Sequence, residues 1–126
     1  MEAPDSNPVN SLIAAIVRNV IEEVRTLASR EDQLQYEKDV PIADVPSELV
    51  CGWDLFEGNK SDLKAHLRPD QFQSLQQIED AIDHFLSAED HWKINSVADL
   101  HQHSRWPAVI EAAAKALPLL NPDPVL

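Results

Sequence analysis

The chain has 126 residues, with 22 acidic against 10 basic side chains and a formal charge of -12 at pH 7. That length fits one domain, and 44% hydrophobic against 25% charged residues allow a buried core and exclude a wholly disordered chain. So acidic a surface repels phosphate backbones and anionic lipid heads, which excludes nucleic acid and the membrane surface and leaves neutral or basic protein surfaces as the expected partners.

Residues 1–7 are polar and expected to be loose, until Asn7 and Pro8 offer a cap and a first helical position; Asn10 is a second possible cap. Ile13, Val17, Val20, Val24, Leu27 and Leu34 then recur at helical spacing, widened by Ile16, Ile21 and Ala28. This stripe predicts one long helix running to about Glu37 and stopping before Pro41. Val40 to Pro46 reads as extended. In the following SELVCGWDLF stretch, Val45, Leu49, Val50, Trp53 and Phe56 predict one to three turns ending at Gly58 as a left-handed terminator. Asn59 to Leu67 reads as a connector with room for one turn capped by Ser61.

Pro69 opens a second strong helix, with Phe72, Leu75, Ile78, Ile82, Phe85 and Leu86 inward, Leu67 stapled onto Phe72, and an end near Glu89. Ser96 and Asp99 predict a capped short turn through Leu100. Ser104 can cap a last helix that tolerates Pro107 in its first turn. There Trp106, Val109, Ile110, Ala113, Leu117 and Leu120 face inward, and Glu111 and Lys115 stand one turn apart outside. Residues 118–126 are proline-rich and expected to be loose. The prediction is a single all-α domain, a compact bundle of three main helices plus one or two short ones, packed around Trp53, Phe72, Phe85, Trp92 and Trp106.

The inventory excludes several chemistries. Cys51 is the lone cysteine, so no intrachain disulfide and no multi-thiolate zinc site can form, which fits a reducing cytoplasm. Its apolar neighbours predict a buried thiol. Two glycines, Gly52 and Gly58, do not make a phosphate-cradling loop. The apolar run near the N-terminus lacks a preceding basic region and meets Arg18 at once, so a signal peptide is not expected, and no run reaches the roughly 18 apolar residues of a membrane helix. His101 and His103 form an HxH pair, with Asp99 and His91 near, at no recognised metal-ligand spacing. Asp80 and His84 stand one helical turn apart, with Asp83 beside the ring, but no motif places a nucleophile or oxyanion donor near them. No catalytic residue, metal or cofactor is therefore assigned, and the chain is read as a non-enzyme.

Acidic clustering rises above this background. Asp39, Asp44, Glu48, Asp54 and Glu57 form one group and Glu79, Asp80, Asp83, Glu89 and Asp90 another, each poor in cations. Asp44, Glu48, Asp54 and Glu57, and then Glu79, Asp80 and Asp83, are the candidate residues of a face that steers toward a basic protein. Tyr36 and Trp53 would be aromatic anchors if exposed.

The segments PIADVPSELVCGWDLFEG, RPDQFQSLQQIEDAIDHF and RWPAVIEAAAKAL together resemble a group of short, acidic, helical bacterial proteins with a VPxELxCxW pattern, a long helix and a closing tryptophan helix. The resemblance covers residues 30–120. It implies an immunity protein of a polymorphic or contact-dependent toxin system, cytoplasmic, which occludes a cognate toxin domain with a basic surface, such as a nuclease. The alternative is a self-associating helical scaffold in which the Ile13 to Leu34 stripe pairs between two chains.

Overall fold

The computed structural model describes residues 8–40, 44–90 and 93–120, the first four by backbone alone. Among the described residues eight helices follow one another: α1 (Pro8–Leu27), α2 (Arg30–Asp39), α3 (Val45–Cys51), α4 (Asp54–Gly58), α5 (Lys60–His66), α6 (Pro69–Leu86), α7 (Val97–Gln102) and α8 (Trp106–Leu120). Among the described residues there is no strand. The fold is all-α as predicted, with α1, α6 and α8 as the three long helices. The short helices number five, where one or two were expected.

The largest departure is at Ala28 and Ser29, where the predicted single first helix divides. Ser29 adopts extended backbone, and its hydroxyl accepts the Asp32 N–H at 3.1 Å. Glu31 and Asp32 fill the first turn of α2, where acids favour the positive end of the helix. Gln33, fully buried, completes the break. Its Nε2 donates to the Thr26 and Leu27 carbonyls at 3.0 and 3.1 Å, the first of which also accepts the Ser29 N–H at 3.2 Å, so it helps satisfy the acceptors left where α1 stops. Leu34, counted in the apolar stripe, is instead 39% exposed.

Asp44 caps α3 by accepting from the Ser47 N–H and hydroxyl, and Val45, Pro46 and Leu49 are buried beneath it. The stretch read as a connector contains α5, preceded by Asn59 rather than capped by Ser61. Gly58 is the last residue of α4, and neither glycine takes a left-handed φ. A short 3-10-like bond from Asn59 N–H to the Phe56 carbonyl ends that helix instead.

Helix α6 starts at Pro69 as predicted, where Gln71 Oε1 accepts the Arg68 N–H at 3.0 Å. It ends at Leu86, slightly short of Glu89. Ser96 caps α7 by accepting the Asp99 N–H at 3.1 Å, and Glu37 of α2 accepts the Val97 N–H at 2.9 Å. Helix α8 continues through Pro118, which was expected to begin a loose tail. Proline there interrupts bonding only near the end of the helix, Leu120 beyond it is 6% exposed, and Gln71 Nε2 donates to the Leu119 carbonyl at 3.1 Å.

Helix α8 is the centre of the molecule, packed against α6 along its length and against α1. Trp53, Phe85 and Trp106 are buried, with Phe85 edge-on to Trp106 at 5.2 Å, and half-buried Phe72 stacks obliquely on Phe56 at 5.6 Å. Trp92 lies outside the described residues, as do the Asn7 cap and residues 121–126. Val20, Val24 and Leu27 of the first stripe are spent inside this core. The chain is accordingly expected to sediment as a monomer at high concentration in analytical ultracentrifugation; a stable dimer would restore self-association through α1.

Candidate functional site

The histidines face apart. His101 Nε2 lies 2.8 Å from Gln33 Oε1, and because the Gln33 amide nitrogen is committed to two carbonyls, its oxygen accepts and His101 Nε2 carries the proton. Burial, followed by the nearby Arg30, lowers the His101 pKa, with Glu37 opposing. His103 Nδ1 accepts the Arg105 N–H at 3.1 Å, while its Nε2 meets Asp90 Oδ1 at 2.9 Å. Both nitrogens of His103 are thus occupied in holding the loop before α8. The hydrogen bond from His103 lowers the Asp90 pKa. Among the described residues no three His, Cys, Asp or Glu side chains are placed to hold a metal; His91 lies outside them. Asp80 and His84 are exposed, Asp80 accepting from Gln76 at 3.3 Å and the His84 carbonyl accepting from Arg105 at 2.8 Å.

Cys51 is exposed, against the expectation of burial. Successive residues turn by about 100° around a helix, so with Val45 and Leu49 facing the core, Cys51 points nearly opposite them. Ser47, one turn before it, shares that outward ridge. Glu48 and Gly52 fall on one flank of the ridge, Pro46 and Val50 on the other.

The predicted acidic residues fall into different settings. Asp44, Glu48, Asp54, Glu57, Asp80 and Asp83 are exposed, the first as the α3 cap. Glu79 is 4% exposed and bonded to Lys60 at 2.5 Å and Gln76 at 2.7 Å. It is therefore an internal anchor for α5 and is not available as a docking residue.

One of these acids, Glu48, enters a cleft of about 700 Å³ bounded by α1, α2 and α3. Glu23, Asp32, Asp39 and Glu48 line it, together with Tyr36, Gln35 and Gly52, and no Lys, Arg or His is among its described lining residues. The Tyr36 hydroxyl donates to Glu48 Oε1, and Gln35 Nε2 donates to Asp39 at 2.9 Å. Glu23 Oε2 is removed from solvent with no hydrogen-bond partner, and burial raises the Glu23 pKa. The hydrogen bond to Glu48, then burial and the charges of Glu48 and Glu23, raise the Tyr36 pKa. Gly52 makes room for this carboxylate: a Cβ there would stand 2.4 Å from Glu23 Oε2.

Sequence reasoning missed Glu23 and Asp32. On the predicted continuous helix Glu23 and Tyr36 would be about 20 Å apart, whereas the break at Ser29 folds α2 back so that both line one cleft. The Ser29-Arg30-Glu31-Asp32 run, a capping residue followed by acids, is the signal that could have found it. No protein-family model, curated protein or solved structure matches the chain.

Proposed function

We propose that this chain is a non-enzymatic binding protein of the immunity type, which neutralises a basic toxin domain by covering its surface and placing a toxin lysine or arginine in the α1–α2–α3 cleft. The observation that carries this reading is the Glu23 carboxylate. It lies under Gly52 with one oxygen out of solvent and unpaired, among three further carboxylates and no lining cation. Withdrawing a carboxylate from water without a partner is costly, and an incoming ammonium or guanidinium supplies the missing charge and donors. The formal charge of -12 adds long-range attraction for a basic partner, to which Asp44, Asp54 and Glu57, exposed outside the cleft at the start of α3 and on α4, contribute. Such a face competes with the anionic substrate of a nuclease-type toxin.

The sign of the Glu23 effect separates folding from binding. Its pKa is raised above the ordinary 4.5, so the folded state loses stability as pH rises from about 4.5 through the folded-state value. Glu23→Gln is expected to raise the urea midpoint at pH 7 and to leave it unchanged near pH 4. The same substitution combined with Glu48→Gln is expected to weaken binding to a basic toxin domain encoded beside the gene by about tenfold or more, with a shallower salt dependence. Calorimetry of that complex checks it; undiminished affinity in a well-folded double variant overturns the cleft as the binding site.

A further inference from the structure

A second hollow, about 230 Å³, lies on the other flank of α3, lined by Pro46, Val50, Cys51, Phe85 and Leu86 with Ser47 at its edge. Its walls are mainly apolar, and Leu86, 36% exposed, is among the few large apolar side chains turned to solvent. Cys51 borders both this hollow and the acidic cleft. The outward Ser47–Cys51 ridge therefore separates a site for a positive charge from a site for an apolar side chain. Asp83, one turn before Leu86 on α6, is exposed and adds a carboxylate on this flank, where its charge acts on Lys60 and Arg105 bonds the His84 carbonyl and the Ser87 hydroxyl at 2.8 and 2.9 Å.

We infer that the two hollows form one bipartite recognition surface, and that its occupant is a basic segment of a partner protein straddling α3, with an aliphatic side chain against Leu86 and Val50 and a lysine or arginine in the cleft of Glu23 and Glu48. The inference rests on the binding role proposed for the cleft and adds what a charge alone does not supply, a fixed direction for the partner chain. The flanks of one helix are about 10 Å apart, a span that three extended residues cover. Charge complementarity selects this occupant over a second copy of the chain, because two surfaces this acidic repel each other. The apolar contact supplies the desolvated anchor and the acids around it the charged rim.

The test uses the full chain and three acetylated, amidated peptides, Leu-Gly-Gly-Arg, Ala-Gly-Gly-Arg and Leu-Gly-Gly-Gln, titrated at low salt and followed by amide chemical shifts. Leu-Gly-Gly-Arg is expected to bind about fivefold more tightly than either of the others, moving Gly52 and Tyr36 together with Val50 and Leu86. Leu86→Ser is expected to abolish the advantage of leucine over alanine while the arginine-dependent shifts at Gly52 persist. Arginine-dependent shifts in the cleft with no gain from leucine would overturn the bipartite surface and leave the cleft intact. No arginine-dependent shift at Gly52 or Tyr36 with any peptide would remove both.

Discussion

Replacing Gln33 by methionine is expected to lower the unfolding free energy by about 3 to 5 kcal/mol, a large share of the roughly 5 to 15 kcal/mol of an ordinary domain. The volume is nearly kept, so the loss isolates hydrogen bonding. The amide nitrogen serves the Thr26 and Leu27 carbonyls, and the amide oxygen serves Trp106 Nε1 at 3.2 Å and His101 Nε2 at 2.8 Å. One buried side chain therefore closes the end of α1 and ties α2 to both α7 and α8. Methionine satisfies none of these groups; the Thr26 carbonyl keeps the Ser29 N–H, but the Leu27 carbonyl and Trp106 Nε1 are buried, and a buried donor or acceptor left alone costs about 1 to 3 kcal/mol. Urea unfolding measures the effect, with Leu34→Gln on the exposed face of the same helix as a control expected within about 0.5 kcal/mol of the parent. A loss below about 1 kcal/mol for Gln33→Met would show that water or side-chain rearrangement replaces the network. His101 adds a pH dependence to it. Its folded-state pKa lies below the ordinary 6.5, so the unfolded chain takes up the proton first and stability declines as pH falls through about 6.5.

The same residue explains which parts of the fold were legible. Helices α1, α6 and α8 each bury an apolar stripe of their own, and Pro69 marks where α6 starts, so period and local signals sufficed. Ser96 likewise acts within four residues. The division of α1 from α2 depends instead on a polar side chain in a core position, held by partners 68 and 73 residues away. A hydropathy stripe has no way to register that. Continuing apolar spacing from Leu27 to Leu34 suggested one helix, while Ser29 and Gln33 together stop it and turn the chain. Pro118 is a similar case, since the buried Leu120 and the distant Gln71 amide hold a turn that local preference would end. The charged surface was legible as an excess and only partly as an arrangement. Glu48 reaches the cleft, Glu79 turns inward to Lys60, and Glu23 becomes part of the site only because its own helix ends at Leu27 and α2 folds back over it.

Lys60→Met is expected to cost about 2 to 4 kcal/mol at pH 7, because it strands a buried carboxylate. Glu79 is 4% exposed, and its Oε1 receives Lys60 Nζ at 2.5 Å and Gln76 Nε2 at 2.7 Å, while its Oε2 has no partner. Helix α5 has seven residues, too few to be stable alone, so this pair and buried Leu63 are what hold it to α6. The hydrogen bond to Glu79 raises the Lys60 pKa above 10.5. The ammonium's contribution is therefore complete below that value and is lost as pH rises through the higher folded-state one. In the variant the dependence moves to acid. Protonating the stranded Glu79 relieves it, so the deficit is expected to shrink as pH falls from 7 toward 4. Glu79→Gln alone should cost less than Lys60→Met, since Lys60, 37% exposed, can turn its charge to water. Urea unfolding of both variants at pH 7 and pH 4.5 decides the cause. The ammonium also lies 5.6 Å from the Phe56 ring centre, and a deficit equal at both pH values would assign the loss to that contact and to packing of the lysine stem, rather than to the abandoned carboxylate.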